Sequence, residues 1–401
     1  MSSQSFADLG VSKPVVAALS ARGFHSPFAV QKLVIAAGLA GRDVLAQSPT
    51  GSGKTLAFGV PIADLVSAEA RRPAALILAP TRELAGQIVD ELQAVANAKA
   101  LSVAVVHGGV GLQRQAKLAA RSHIVVATPG RLEDLLQRRD LTLEHIKILV
   151  LDEADRMLDM GFKPAVDRIV GKCPPKRQTL FFSATLEGAA GQLAKAYTRN
   201  AVKHVHKTKG ARRADVDHRF VHLTHDAKLG ALVRELRDEA RGRTLVFVRT
   251  KRGADRLVKR LGSQNLHALA MHGNKTQSQR QKALARFESG AVDTLVATDV
   301  AARGIDVADI THVINFDAPE DRDAYVHRIG RTARAGATGA GISFVMADQA
   351  GDMGRIAADL GLSAQFDATR PSGGGSSAGR GTSHKPRRHS PSRQSPRPAR
   401  R

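Results

Sequence analysis

Two stretches, Gly51-Ser52-Gly53-Lys54-Thr55 and, directly after the apolar run Ile148-Leu149-Val150-Leu151, Asp152-Glu153-Ala154-Asp155, decide how the chain folds. A Gly-rich turn lets successive backbone N–H groups converge on a polyphosphate, with Lys54 reaching the outer phosphates and the Thr55 hydroxyl able to hold Mg²⁺. A carboxylate at the end of a buried strand supplies what that turn lacks. Asp152 can hold the metal through its coordination shell, and Glu153 can orient or deprotonate an attacking water. Thr50 to Thr55 thus form a candidate phosphate loop, Lys54, Asp152 and Glu153 candidate catalytic groups, and Thr55 and Asp152 the metal anchors. Either segment alone also suits a solvated loop or helix start. Both together, each after a hydrophobic strand, point to a phosphate site.

Outward from these segments, short apolar runs recur at Asp43 to Ala46, Ala74 to Ala79, Val103 to Val106, His123 to Ala127 and Thr179 to Phe182. Helix-length amphipathic stretches separate them, among them Leu84 to Ala96 and Arg131 to Arg138. Buried parallel strands alternating with helices make an open α/β sheet, whose ligands bind outside the carboxyl ends of the strands. The second half repeats the plan, with strands expected at Thr244 to Val248, Ala268 to Met271, Thr294 to Ala297, His312 to Phe316 and Ile342 to Val345. An internal echo supports duplication: His107-Gly108-Gly109 and Val125-Val126-Ala127-Thr128 correspond to His272-Gly273-Asn274 and Leu295-Val296-Ala297-Thr298. The second copy has no Gly-Lys-Thr loop, so it does not bind phosphates in the same way. The polar, basic stretch 207–214 between the halves reads as a hinge, which implies two lobes and a cleft.

The 401 residues, 43% of them hydrophobic, suffice for lobes with their own cores. A single cysteine, Cys173, can form no internal disulfide and fits a reducing cytoplasm. Met1 to Asp8 lack the layout of a signal peptide, and no apolar run approaches the length of a membrane span, so no membrane partner is expected. A net charge of +23 calls for a polyanion partner, and nucleic acid is the simplest one. After Asp367 the chain has no acids but carries Arg370, Arg380, Lys385, Arg387, Arg388, Arg393, Arg397, Arg400 and Arg401 among Ser, Gly and Pro. Such a segment buries too little apolar surface to fold. It reads as a disordered basic arm, either a solubility tail or a sequence-blind phosphate contact.

The motifs taken together resemble the DEAD-box ATP-dependent RNA helicases of helicase superfamily 2, in their bacterial form. The match runs from about Phe6 to Val345 through Pro80-Thr81-Arg82-Glu83-Leu84-Ala85, Thr128-Pro129-Gly130-Arg131, Asp152 to Asp155 and Ser183-Ala184-Thr185. In the second half it continues through Thr298-Asp299-Val300-Ala301-Ala302-Arg303-Gly304-Ile305-Asp306 and His327-Arg328-Ile329-Gly330-Arg331-Thr332-Ala333-Arg334. The resemblance implies two tandem RecA-like parallel-sheet domains, 1–206 and 215–366, joined by the linker 207–214 and followed by the tail 367–401. It also implies ATP and Mg²⁺ as cofactors.

By the same resemblance, Gly23-Phe24-His25-Ser26-Pro27, ending at Gln31, is similar to the Q motif, whose glutamine reads the adenine edge while an upstream aromatic, here Phe6, stacks on the ring. An amide both donates and accepts, as the adenine edge requires. Arg331 and Arg334 match arginine fingers that reach ATP on the other lobe, and Asp306 matches a ribose contact. Ser183 and Thr185 are implied to link the nucleotide to the rest of the molecule through Asp155 and His327. RNA contacts are implied for Arg82, Gly109, Thr128 and Arg131 in the first lobe and for Gln277, Arg280, Thr298 and Gly304 in the second. These residue types suit phosphate and sugar contacts, and two tyrosines with no tryptophan argue against a base-stacking platform.

The expected activity is ATP-dependent remodelling of RNA, single-stranded or as short duplexes, with ribosomal or RNA-decay proteins as candidate partners. ATP and RNA together close the lobes, and at about 1 to 2 kcal/mol per base step closure separates a few base pairs. An ATP-gated RNA clamp or annealing factor shares these motifs. A duplex-DNA translocase shares the motor, but Asp155, the Q-like segment and the last motif resemble the RNA branch. Three positions depart from the common pattern: Ser48-Pro49 where Ala-Gln is usual, Val30 for Ile, and Ala333 for Gly. Pro49 is expected to stiffen the approach to the loop, and Ala333 to require an unstrained backbone.

Overall fold

A computed structural model describes residues 4–48, 53–186, 188–205, 216–238, 241–302, 307, 309–333 and 337–368. Thr50, Gly51, Ser52, Gly304, Asp306, Arg334, the linker 207–214 and the tail from 369 lie outside the described residues. Within them, every apolar run read from the sequence is a strand. The first sheet contains β1 (Val44–Gln47), β2 (Ala75–Leu78), β3 (Val103–Val106), β4 (Ile124–Ala127), β5 (Ile148–Leu151), β6 (Gln178–Ser183) and β7 (Val202–Val205). The second contains β8 (Val216–His222), β9 (Arg243–Phe247), β10 (Leu269–Met271), β11 (Thr294–Ala297), β12 (Ile310–Asn315) and β13 (Gly339–Val345).

The strand orders, β3-β4-β2-β5-β6-β1-β7 and β10-β11-β9-β12-β13-β8, are the same permutation with one added edge strand, β7. Every pairing is parallel. The duplication read from short motifs is therefore a duplication of topology, and His107 and His272 occupy equivalent places after β3 and β10. Two strands had no sequence signal. In β7 and β8, Lys203, His204, Asp217, His218 and Arg219 break the apolar runs, as suits edge strands with a solvated face.

Central strands are buried on both faces, so their residues read as continuous hydrophobic runs. Alternation divides them between two cores: Ala75, Ile77, Ile148 and Val150 pack on one face of the first sheet, Leu76, Leu78, Leu149 and Leu151 on the other. The second sheet is covered in the same way. Because all strands run parallel, the residues that follow β1 to β6, from Ser48 and Thr81 to Thr128, Asp152 and Ser183, collect on one rim. His272 and Thr298 collect on the matching rim of the second sheet, with the helix Gln277–Glu288 between them in the chain.

Among the described residues no helix is long and apolar enough to cross a membrane. The helix Ser363–Asp367 continues the ordered chain to the start of the basic tail.

The expectation for Ala333 is overturned. Its φ is +53°, in the left-handed region that costs a residue with a Cβ about 1 to 2 kcal/mol. The chain accepts this strain where glycine would carry none. Ala333→Gly is expected to stabilise the second lobe by up to about 1 kcal/mol, part of the relief being offset by the greater freedom of glycine in the unfolded chain. Denaturant unfolding measures it, and a loss of stability would show that the alanine methyl group makes a compensating contact.

Candidate functional site

The first lobe presents its carboxylates at the end of β5. Asp152 and Glu153 are both buried, at 2% and 4% exposure. Asp152 Oδ1 accepts the Glu153 backbone N–H at 3.0 Å and lies 3.9 Å from Lys54 Nζ, which also donates to the Ser48 carbonyl at 3.4 Å. Burial raises the Asp152 carboxyl to about 6, against the pull of Lys54. Burial would raise Glu153 too, but the guanidinium of Arg156, the ammonium of Lys54 and the charge of Arg331 hold it at about 2. Arg156 Nη1 lies 2.6 Å from Glu153 Oε2. Glu153 also has a left-handed backbone, φ 52° and ψ 51°, at the start of the helix Ala154–Asp159, a strain of the kind that clusters at functional sites.

Arg331 belongs to the other lobe. It is 3% exposed and follows the helix Arg322–Ile329, its Nε donating to the His327 carbonyl at 3.3 Å. Arg156 of the first lobe and Phe247, Asp299, His327 and Arg331 of the second line a common cleft. The lobes therefore meet across the site. Asp155 ties the cleft to the end of β6, with Oδ2 accepting the backbone N–H groups of Ala184 and Thr185 at 3.0 and 3.3 Å. Of the two residues implied to make that link, Thr185 reaches Asp155 through its backbone amide. The Ser183 hydroxyl instead accepts the Thr185 N–H at 3.3 Å.

Gly53 is the N-cap of the helix Lys54–Leu65, with φ 83°. A Cβ there would lie 2.9 Å from both Gln31 Nε2 and Phe28 Cδ2, so only glycine fits. Gln31 is 1% exposed, its Oε1 accepting the Phe28 N–H at 2.8 Å and its Nε2 donating to the Gly53 carbonyl at 3.0 Å. Phe6, by contrast, is packed into the core beside Leu9 and Val30.

The rims meet again beside the first Gly-Gly turn. Arg82 starts the helix Arg82–Asn97, whose N-cap Thr81 accepts the Leu84 N–H at 3.2 Å. Its guanidinium lies over Gly108 and Gly109, where a Cβ on Gly109 (φ 91°) would approach Arg82 Nη1 to 2.4 Å and Gln277 Cβ of the other lobe to 3.6 Å. Arg131 donates to the Val110 carbonyl and to Gln115 Oε1, both at 3.0 Å. Thr128 and Thr298 are buried N-terminal to the helices Pro129–Gln137 and Asp299–Ala302.

Arg280, on the helix Gln277–Glu288 capped by Thr276 and Gln279, pairs with Glu83 across the lobes at 2.7 Å, both side chains buried. No sequence signal marks this pair. Arg328 and Asp299 lie in quoted motifs, but nothing in the sequence marks their pairing: Arg328 is buried and bidentate to Asp299 at 2.6 and 2.7 Å, at the start of the helix Asp299–Ala302.

Cys173 is buried, and burial pushes its thiol up to about 11, which excludes thiolate chemistry. Among the described residues no cluster of three or more His, Cys, Asp or Glu could hold a metal by itself. One carboxylate and one hydroxyl, Asp152 and Thr55, do fit a Mg²⁺ that keeps phosphate and water ligands, which is how this ion is commonly bound.

Comparison with known proteins agrees with this geometry. A DEAD/DEAH box helicase family model matches residues 28–193, and a helicase conserved C-terminal domain model matches 227–336. The DEAD-box ATP-dependent RNA helicase CshA of Geobacillus kaustophilus is 40% identical over 352 residues, 88% of this chain and 75% of that protein. CshA of Bacillus subtilis is 38% identical over 341 residues, 85% of this chain and 69% of that one. Among solved structures, S. cerevisiae Dbp5 bound to RNA and ADP BeF3 matches with TM-score 0.81 at 30% identity, covering 90% of this chain and 94% of that one. A DEAD box protein of Methanococcus jannaschii, 36% identical over 89% of this chain and 97% of that one, gives 0.51. The less identical of the two superposes better over about nine-tenths of this chain.

Two outcomes follow for lobe closure. Removing one partner of a buried ion pair costs about 3 to 5 kcal/mol, so Arg280→Ala should lower the closed equilibrium about 10² to 10⁴-fold, while Glu83→Gln with Arg280→Met recovers most of it. X-ray scattering with a nucleoside triphosphate analogue and a short RNA both bound reads this as a larger radius of gyration for the single variant only; a single variant as compact as the parent contradicts it. Burial, with Arg156 and Arg331, lowers the His327 imidazole below its ordinary 6.5, opposed by Asp155 and Asp159. Its contribution to closure is therefore complete above that value and lost as pH falls through the lowered one. Compactness should decline as the pH falls below 6.5 and through the lowered value, and His327→Asn should flatten that decline.

Proposed function

The chain belongs to the DEAD-box family of ATP-dependent RNA helicases, and from that premise we propose how its residues divide the work of hydrolysing ATP and separating RNA strands. Lys54 neutralises the outer phosphates, and Gln31 reads the base through the one N–H and one lone pair its amide has left after its contacts to Gly53 and Phe28. Thr50, Gly51 and Ser52 cradle the phosphates, and Asp306 binds the ribose. Thr55 and Asp152 would hold Mg²⁺, whose charge, when bound, offsets that developing on the β- and γ-phosphates.

Glu153 orients the attacking water. A carboxylate kept ionised by Arg156, Lys54 and Arg331 is a reliable acceptor, and phosphoryl transfer through a loose transition state needs an aligned nucleophile more than a deprotonated one. Arg331 and Arg334 supply positive charge to the transferring phosphoryl from the opposite lobe, a contribution on the order of 10³ to 10⁵ in rate for such fingers. The observation that carries this reading is the buried Lys54–Asp152–Glu153 cluster lying within the field of Arg331. Hydrolysis therefore belongs to the closed form.

RNA runs along the shared rim. Arg82, Gly109, Thr128 and Arg131 on one lobe, with Gln277, Thr298 and Gly304 on the other, contact phosphates and sugars without reading bases. Arg280, for which the family resemblance also implies an RNA contact, is paired with Glu83 and joins the two lobes in this arrangement. Closure on both sets of contacts bends a strand away from its complement, and hydrolysis releases it.

A strand-displacement assay on a short RNA duplex tests the assignment. Wild type should displace with ATP, whereas Glu153→Gln should bind ATP and RNA at near wild-type affinity and turn over at least a hundredfold more slowly. Full turnover by Glu153→Gln would remove Glu153 from the chemistry.

A further inference from the structure

Phe28 is the one aromatic ring among the exposed large hydrophobic side chains of the described residues. It is 55% exposed, the most of any phenylalanine among the described residues, while Phe6 is 2% exposed. Its position is set by the same contacts that set Gln31. Phe28 is the N-cap of the helix Ala29–Leu39, its N–H donates to Gln31 Oε1 at 2.8 Å, and its ring edge borders Gly53, one residue before Lys54. Ring, amide and phosphate-binding lysine thus follow one another along a single wall.

With more than half of its surface exposed, the ring leaves area uncovered by its own lobe. Placed beside an amide that offers one donor and one acceptor, it is what a flat heterocycle needs for its face while the amide takes its edge. We propose that Phe28 is the stacking surface for the nucleotide base in this chain, and that Phe6 supports the site from within the core without an open face of its own. The proposal rests on the assignment of Gln31 to the base edge and adds the residue that contacts its face. Stacking is indifferent to base identity, so Phe28 supplies affinity for any purine and Gln31 the preference for adenine.

Titrating the full-length protein with ATP, GTP and inorganic tripolyphosphate separates the contributions. Phe28→Ala should weaken ATP and GTP about tenfold each, a stacking loss of about 1.4 kcal/mol, and leave tripolyphosphate unchanged. Phe28→Trp should restore ATP binding, which also shows that the site is intact. Unchanged ATP affinity in Phe28→Ala overturns the proposal, and so does an equal loss for ATP and tripolyphosphate, which would place the effect in the phosphate loop. Gln31→Ala reports on the other assignment: if it keeps the preference for ATP over GTP while Phe28→Ala still weakens both, the edge reading fails and the stacking surface stands.

Discussion

A buried carboxylate stays ionised only if cations are held beside it, and that requirement organises this molecule. Asp152 and Glu153 sit side by side at the end of a fully buried strand, where desolvation alone would protonate both. Lys54 and Arg156 come from the same lobe. Arg331 comes from the other. The charge state that makes Glu153 a dependable acceptor is thus partly a property of lobe placement, and the chemistry is tied to closure by electrostatics as well as by geometry.

A second buried pair repeats the arrangement on the RNA side. Glu83 and Arg280 are burdens to their own lobes when apart, since each would be a desolvated charge or would have to be rehydrated. Together they make the closed form specific in register. Arg328, bidentate to Asp299, fixes the start of the helix Asp299–Ala302 that follows β11.

Much of this was legible in the sequence because the relevant signals are local. Strands buried on both faces must be apolar throughout, which is why β2, β4, β5 and β11 stand out; β7 and β8 alternate with Lys, Asp and His and do not. Lys54, Asp152 and Glu153 were legible from spacing and chemistry. Arg331 was legible only through the family resemblance, because nothing in an Arg-rich helix end says which lobe it faces. Glu83 with Arg280, the left-handed Ala333 and the open ring of Phe28 depend on tertiary placement, to which single-residue chemistry gives no access.

The account stands or falls on whether the second lobe completes the hydrolytic site. Inter-lobe energy transfer recorded together with ATP hydrolysis, for wild type and Arg331→Ala with ATP alone, RNA alone and both, tests this most directly. The predicted result is high transfer and hydrolysis only with both ligands, with Arg331→Ala reaching the closed arrangement but hydrolysing at least a hundredfold more slowly. Hydrolysis at the wild-type rate in the open form, or in closed Arg331→Ala, would contradict it.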